Sequence, residues 1–594
     1  MREYFDYPFN IGVLQRKKKS IKNELMQNSS ITDVRIGILS GSTTSEIKDI
    51  LELFLLNEGI KPTFYQSEYN KYYEDVMFKN EKLKSFNPNI IYIHTSEVNI
   101  NNYPKISDDQ EKVNQGIENE FTKFKSIWEK IRAEYNCVII QNNFELPYHR
   151  SLGNLDFSDI HGKTNFIMAL NQKFAEYAQL NKGFYINDIN YLSSWFGLER
   201  WHDRTFWYSY KYACSYDAIP LLCHNISRII KCIYGKSSKC LVVDLDNTLW
   251  GGVIGDDGLN NIQIGKETPL GEAYTELQSY IKELRNRGVM LAICSKNEMK
   301  NVIEGFSHPD NVLKLEDFIA TKANWSQKDR NIQEIAENLN IGLDSLVFLD
   351  DNPIERELVK WQQPKVRVPD IGDDITKYIS FLDREGYFEP ATFSLDDIER
   401  NKFYEENLKR DDIKNSFKNY DEFLRSLNMK AEIACFKPVY YDRISQLVNK
   451  TNQFNLTTKR FTISEIEQLL KSDDYVTLYG RLSDKFGDNG LVSCIIGNIN
   501  ELEMDIVLWI MSCRVLKRGL ELSMFDELVN VCKSRGIKRI TGWYYKTLKN
   551  NMVEDFYKTI GFSNVMQLEN GDSCWEFIIP EIYISEKRLM EVNK

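Results

Sequence analysis

The 594-residue chain contains only six histidines, and they form no cluster that would recruit zinc. Its eleven cysteines are odd in number and scattered, without a C-x-x-C pair, so they read as reduced thiols rather than a disulfide framework. No window approaches the roughly 18 apolar residues of a membrane span, and Met1–Lys19 lacks the apolar centre of a secretion signal. These absences place the protein in the cytoplasm. A basic excess is missing too: a formal charge of −11 argues against a general nucleic-acid binder, because a phosphate backbone demands a basic face.

What the chain does have is enough apolar and aromatic content, 42% and 12%, for globular domains. A chain of this length is expected to form roughly three or four, of about 100–200 residues each. The most informative run is Val242-Val243-Asp244-Leu245-Asp246-Asn247-Thr248-Leu249-Trp250-Gly251-Gly252. Cys240–Val243 is apolar without alternation, as in a parallel strand buried on both faces, so its carboxyl end delivers Asp244 to the rim where such sheets bind ligands. Two carboxylates two positions apart suit phosphoryl chemistry, one attacking phosphorus while the other moves protons. The same letters also suit a plain strand-ending turn. The downstream chain supplies further parts: a strand Val289–Cys294 ending in Ser295-Lys296-Asn297, Lys328 near the start of the amphipathic helix Asn331–Leu339, and a strand Ser345–Leu349 ending in Asp350-Asp351-Asn352-Pro353.

In order and spacing these pieces resemble the haloacid dehalogenase-like (HAD) phosphatases. The resemblance implies Asp244 as nucleophile, Asp246 as acid/base, Ser295 and Lys328 as holders of phosphoryl oxygens, and Asp350 or Asp351 as a magnesium ligand, with Asp244 and Asp246 at the metal as well. A dianionic phosphate accepts a carboxylate nucleophile only when repulsion is cancelled, which calls for a hard cation with oxygen ligands and a fixed Lys; Mg2+ meets that need. The segments Trp250–Gly258, Cys294–Asn297 and Phe348–Arg356 narrow the resemblance to the FkbH-like branch. That branch makes glyceryl-carrier-protein thioesters from 1,3-bisphosphoglycerate. The implied substrate-binding residues are Asn247, Thr248, Trp250, Gly251, Gly252, Lys296 and Asn297. Cys294 is a candidate acyl acceptor, since Lys296, Lys328 and a metal would lower its thiol pKa. Strand alternation argues the other way, sending Cys294 into the core if Ser295 faces the pocket.

Around this core, an N-terminal helical extension (1–33) leads into alternating strands and helices over 34–235, the rhythm of a doubly wound parallel sheet. Ser40-Gly41-Ser42-Thr43-Thr44 and Gln141-Asn142-Asn143 resemble SGNH hydrolases, making Ser42 a nucleophile candidate and Asn143 an oxyanion donor. The Asp-x-x-His partner is missing from its place, with Trp201-His202-Asp203 the nearest substitute, so a docking or covering domain is the stronger reading. His94, His149 and His202 read as packed or surface residues. The HAD-like domain spans 236–375. The gaps from Asp246 to Ser295 and from there to Lys328 leave no room for a large lid, which favours a bulky, protein-borne substrate. A charged helical connector, 376–430, includes an expected helix Leu395–Arg410. The unit 431–582 and its Phe556–Phe562 segment resemble the GNAT acetyltransferases, whose glycine-rich loop opens a helix that cradles the pyrophosphate of coenzyme A. Here that loop reads Arg514-Val515-Leu516-Lys517-Arg518-Gly519, with Lys517 where the first glycine belongs. Arg514, Lys517, Arg518 and Gly519 are the candidate pantetheine-binding residues. A tail, 583–594, follows. The expected fold class is α/β in three domains: an SGNH/flavodoxin-like doubly wound sheet, a capless HAD-like Rossmannoid core and a GNAT-like α+β domain.

The leading functional expectation is a glyceryl transferase/phosphatase that loads an acyl carrier protein. A carrier is acidic and needs a local basic patch: Arg228, Lys231, Lys236 and Lys239, or the Arg514–Arg518 cluster, each of which also reads as ordinary solvated surface. The competing expectations are a Mg-dependent phosphatase or phosphotransferase on a small metabolite, an inert thioester-binding scaffold, and a GNAT-type acyltransferase. No nucleic acid and no membrane partner is expected.

Overall fold

Strands and helices alternate through the first third of the chain and build a parallel sheet in the order β2-β1-β3-β4-β5. Its strands are β1 Thr32–Ser40, β2 Ile60–Gln66, β3 Ile90–His94, β4 Val138–Asn142 and β5 Phe184–Asn187. β3 and β4 are buried along their whole length, as helices on both faces require. Trp128, on helix Gln110–Glu134, packs 4.8 Å from Phe174 and 4.6 Å from Tyr177 on helix Lys163–Leu180. The strand order puts a topological switch point between β1 and β3.

The computed structural model describes residues 4–27, 31–392, 398, 400–414, 417, 419–451, 453–547, 550–585 and 589–593. Among them the chain divides into two compact units, Met1–Ile233 with Arg460–Ser472, and Tyr234–Lys459 with Asp473–Lys594. Residues Arg460–Ser472, read from sequence as part of the third domain, thus group with the first unit.

The second unit carries two sheets. Four parallel strands in the order β8-β7-β6-β9 comprise β6 Cys240–Val243, β7 Met290–Ser295, β8 Ala320–Ala323 and β9 Leu346–Leu349. Strand periodicity sorts their side chains into two layers: Leu241, Val243, Leu291, Ile293, Val347 and Leu349 join one apolar cluster, and Cys240, Val242, Met290, Ala292, Cys294 and Phe348 the other. No inserted domain separates β6 from β7 among the described residues; the link holds loops, the short helix Ile254–Asp257 and the helix Pro269–Asn286.

The other sheet is mixed, in the order β16-β17-β15-β14-β13-β12-β10-β18 with β11 on β14. Its strands are β10 Lys430–Ala434, β11 Phe454–Asn455, β12 Tyr475–Asp484, β13 Gly487–Asn500, β14 Glu503–Met511, β15 Arg539–Tyr544, β16 Ser563–Gln567, β17 Ser573–Ile578 and β18 Glu591–Asn593. β14 and β15 run parallel. The connector is helical over Arg400–Lys414; the expected earlier start at Leu395 falls on 395–397 and 399, outside the described residues.

Arg410 of the connector helix locks it to the mixed sheet. Its Nε and Nη2 each donate to a carboxylate oxygen of Asp484 at 2.8 Å, and both side chains are buried. Arg410→Ala strands the Asp484 carboxylate with the longer 3.3 Å contact to Arg518 as its remaining ion pair. We expect it to lower the stability of this unit by about 3–5 kcal/mol in denaturant titration.

Candidate active site

Three strand ends meet at one rim of the four-stranded sheet. Register pairs Val243 with both Ile293 and Leu349, so the next residues on each strand, Asp244, Cys294 and Asp350, stand side by side. Asp244 N–H donates to the Leu349 carbonyl at 2.9 Å, which ties the first acid to the β9 end. Lys328 opens the helix Lys328–Asn338, and its Nζ lies 2.9 Å from Asp244 Oδ2 and 2.6 Å from Asp350 Oδ2, with the side chain 3% exposed. Carboxylate oxygens of Asp244, Asp350 and Asp351 lie within 4.8 Å of one another.

The electrostatics follow from burial. Desolvation, and then Asp244, raises the pKa of Asp350 above the usual carboxylate range; the same two causes raise Asp351. Burial works against the ammonium of Lys328, but Asp244 and Asp350 outweigh it and hold its pKa above the ordinary value. Three carboxylates against one lysine leave the rim short of positive charge. Asp244 Oδ1 is buried and has no hydrogen-bond partner among the described residues. An all-oxygen set with an orphaned carboxylate oxygen fits Mg2+, which favours carboxylates and keeps several waters. Asp246, counted with the metal acids in the sequence reading, is held elsewhere. Its Oδ1 accepts from Trp250 Nε1 at 3.0 Å and Ile254 N at 3.1 Å, its Oδ2 from Asn297 Nδ2 at 2.9 Å. Burial still raises its pKa despite these donors.

Most residues expected to touch substrate instead build the frame. Thr248 is fully buried; its Oγ1 donates to Asp351 Oδ1 at 3.2 Å and accepts from Asp351 N at 3.1 Å. Asn247 sits at φ 55° and its Oδ1 accepts from Gly252 N at 2.8 Å, closing the loop on itself. Gly251 exchanges main-chain hydrogen bonds with Gln263, and a Cβ there would lie 2.8 Å from the Tyr274 ring. Trp250 is buried against Phe306 and points its indole N–H at Asp246. Lys296 is paired with Glu355 at 2.5 Å, a partner not anticipated from sequence, although Asn352-Pro353 marks a helix start that puts Glu355 on the first turn. Ser295 ends β7, 2% exposed.

Cys294 does not present a reactive thiol. It has no exposed surface, packs with Val242, Ile332 and Phe348, and its Sγ contacts the Lys328 carbonyl at 3.7 Å. Burial pushes its pKa up, outweighing the nearby Lys328. Cys294 lies in the layer of Val242 and Phe348, where the helix Lys328–Asn338 packs over it through Ile332.

The Ser42 constellation is not assembled either. Ser42 Oγ is buried with no hydrogen-bond partner among the described residues. Asn143, the expected oxyanion donor, turns its Nδ2 to Asp188 Oδ1 at 2.7 Å. His94 is buried with its pKa lowered to about 4 by desolvation, and its Nδ1 is 2.9 Å from both Tyr92 Oη and Asn142 Nδ2. His202 Nε2 contacts the Leu146 carbonyl at 3.3 Å, and His149 packs edge-on to Tyr148. With no base on Ser42, the hydroxyl stays a weak nucleophile.

In the second unit's mixed sheet, the candidate pantetheine loop keeps its backbone, leaves Lys517 exposed and turns its two arginines onto the protein's own groups. Lys517 adopts φ 63° and Gly519 φ 84°, so the left-handed turn survives with lysine in a glycine's place. Arg514 lies 4.3 Å over the Phe403 ring and donates to the Asn489 carbonyl at 2.6 Å; Arg518 donates to Asn407 Oδ1 at 2.7 Å and Asp484 Oδ2 at 3.3 Å. Both guanidinium groups face inward. At the start of helix Leu520–Ser534, Glu521 brings its own buried carboxylate to the backbone amides of Glu521 and Gly519. An extended arm beside this loop also needs open strand edges. The β14–β15 pairing ends at Ile506 and Gly542, and the gap beyond it is bridged by the chain itself: Leu456 N donates to Trp509 O at 3.3 Å, Tyr545 N to Leu456 O at 2.9 Å, and Thr457 Oγ1 to Val507 O at 2.8 Å. Of the candidate pantetheine residues, Arg514 and Arg518 are engaged by the protein's own groups, whereas Lys517 is exposed.

With this geometry in view, the family model described as FkbH, N-terminal domain, matches residues 35–231. Among solved structures, the N-terminal part of the protein BF1531 from Bacteroides fragilis, containing a phosphatase domain complexed with Mg, is similar at 30% identity and a TM-score of 0.58, covering 63% of this chain and 99% of that one. The ribosomal-protein-S18-alanine N-acetyltransferase from Escherichia coli is similar at 10% identity and a TM-score of 0.21, over 26% of this chain and 99% of its own. The PaiA N-acetyltransferase from Thermoplasma acidophilum, in complex with coenzyme A, is similar at 14% identity and a TM-score of 0.20, over 25% of this chain and 98% of its own. No curated protein matches the chain. Among the described residues, no helix is long and apolar enough to cross a membrane.

One buried acid near the switch point gives a pH signature. Burial, and next the neighbouring Glu97, pushes Glu145 up to about 8, and Glu145 Oε2 accepts from Glu97 N at 3.3 Å. A folded-state pKa raised above the unfolded value stabilises the fold at low pH, and that stability is lost as pH rises toward the folded pKa. Stability of the first unit is expected to fall by about 2–4 kcal/mol between pH 5 and 8. In Glu145→Gln, chemical denaturation should show that slope removed.

Proposed function

Because the chain belongs to the FkbH-like family of the HAD superfamily, we propose that it takes the glyceryl unit of 1,3-bisphosphoglycerate, removes phosphate and loads the unit as a thioester on a phosphopantetheinylated acyl carrier protein. The observation that carries the reading is the convergence of Asp244, Asp350 and Asp351 around the ammonium of Lys328 at one sheet edge. We place the reaction in the cytoplasm, with no nucleic acid and no membrane involved.

The chemistry divides between two phosphates. The carrier's thiolate attacks the acyl carbon, the C–O bond to the acyl phosphate breaks, and inorganic phosphate leaves. Asp244 Oδ1 then attacks the phosphorus of the remaining phosphate monoester while Asp246 gives its proton to the departing glyceryl oxygen. The aspartyl phosphate is hydrolysed by a water whose proton returns to Asp246. The raised pKa of Asp246 suits this alternation between acid and base. Lys328 holds phosphoryl oxygens, aided by Ser295. A Mg2+ ion on Asp244, Asp350 and Asp351, when bound, supplies the positive charge that lets a carboxylate approach a phosphate. The carrier's own thiol takes the acyl group directly, since Cys294 is in the core.

A second reading, a Mg-dependent phosphatase or phosphotransferase on a small metabolite, is favoured by the phosphatase domain named for the Bacteroides fragilis protein. Intact-protein mass spectrometry of enzyme, carrier, Mg2+ and 1,3-bisphosphoglycerate separates the two. The expected result is a glyceryl mass on the carrier, still formed by Cys294→Ala. Asp244→Asn should slow release of the second phosphate by about a thousandfold or more and leave a phosphoglyceryl mass on the carrier. Release of phosphate with an unmodified carrier would favour the small-metabolite reading, and full release by Asp244→Asn would refute both.

A further inference from the structure

The acidic pair at the end of β9 poses a geometric problem. Successive side chains of an extended strand leave on opposite faces, so Asp350 and Asp351 should diverge. Yet both reach the cluster shared with Asp244. The main chain must therefore turn sharply at this point, and something must hold the turn.

Arg356 occupies the required place. It lies on the first turns of helix Pro353–Gln362, is 4% exposed, and uses a single nitrogen, Nη1, to donate to the Asp350 carbonyl at 2.9 Å and the Asp351 carbonyl at 2.6 Å. Two consecutive carbonyls gathered on one donor cannot belong to an extended strand. With both carbonyls drawn to the helix side, both carboxylates are left on the rim side. Its other nitrogen, Nη2, donates to Asp370 Oδ1 at 3.0 Å, which fixes the guanidinium in plane. The turn is finished locally, Asn352 N donating to Asp350 Oδ1 at 2.9 Å and Ile354 N to Asn352 Oδ1 at 2.9 Å.

We infer that Arg356 is a positioning residue for the divalent-cation site: its guanidinium, bonded to two main-chain carbonyls, forces Asp350 and Asp351 onto one face so that both converge with Asp244. Among the described residues it bonds to the main-chain carbonyls of the two acids and to the Asp370 carboxylate, not to the carboxylates of Asp350 and Asp351. The inference rests on the magnesium reading proposed above. Residues that orient metal ligands from behind cost about 10–100-fold in metal affinity when replaced.

The test is calorimetric titration of the full-length, metal-free protein with Mg2+ alone, beside its melting temperature. Arg356→Gln should weaken Mg2+ binding by about tenfold or more, and Arg356→Lys by less, because an ammonium still donates to the carbonyls. Asp370→Asn, which leaves both carbonyl bonds in place, should shift affinity less than about twofold. A lowered melting temperature with unchanged Mg2+ affinity in Arg356→Gln marks a merely structural residue and overturns the inference; should that variant not fold, unchanged affinity in Arg356→Lys does the same. Were the natural protein to bind no Mg2+, the metal reading would fall and the inference with it.

Discussion

Three carboxylates crowded around one ammonium at a buried sheet edge form the constraint that organises the catalytic unit. Such a cluster repels itself, and the medium around it screens poorly. Lys328 offsets one charge. The remaining excess is tolerated because the surrounding chain fixes every acid from outside the cluster, Thr248 on Asp351, Asn352 N on Asp350, and the β9 carbonyl of Leu349 on Asp244 N. A site held this way while lacking positive charge is suited to a hard cation and a phosphoryl group.

Asp244 and Asp246, proposed as nucleophile and acid/base, acquire different characters although only Leu245 separates them. Asp244 faces Lys328 and keeps an orphaned oxygen; Asp246 is gripped by Trp250, Ile254 and Asn297, which come from a loop, a short helix and the β7 end. The Gly-rich loop after the acids serves this division of labour. It folds back on Asn247 and Gln263 and buries Trp250, so the indole N–H becomes part of the mount of Asp246. In the flanking modules, Ser42 Oγ has no hydrogen-bond partner among the described residues, and Arg514 and Arg518 bond to Asn489 and Asn407.

Much of this was legible in the chain. Period and apolar runs located β6, β7 and β9, and residue order located Asp244, Asp246, Lys328 and the Asp350-Asp351 pair, because strand ends are local features. What escaped reading depends on contacts distant in sequence. That Trp250 and Asn297 would hold Asp246 rather than substrate follows from how the loop closes on Gln263. That Arg514 and Arg518 face inward follows from Phe403, Asn407 and Asp484, up to a hundred or so residues away. The filling of the β14–β15 gap by Leu456 required knowing where the two strands part, and the grouping of Arg460–Ser472 with the first unit has no local mark at all.

The central claim is that Asp244, Asp350 and Asp351 form one cation site facing Lys328, with Asp244 Oδ1 left for phosphorus. A crystal structure of the protein with Mg2+ and beryllofluoride, a phosphoryl mimic, tests it most directly. The account predicts Mg2+ about 2.0–2.1 Å from oxygens of Asp244, Asp350 or Asp351, with the fluoride group on Asp244 Oδ1 and within reach of Lys328. A cation bound on Asp246, or beryllofluoride attached to any residue other than Asp244, would contradict it.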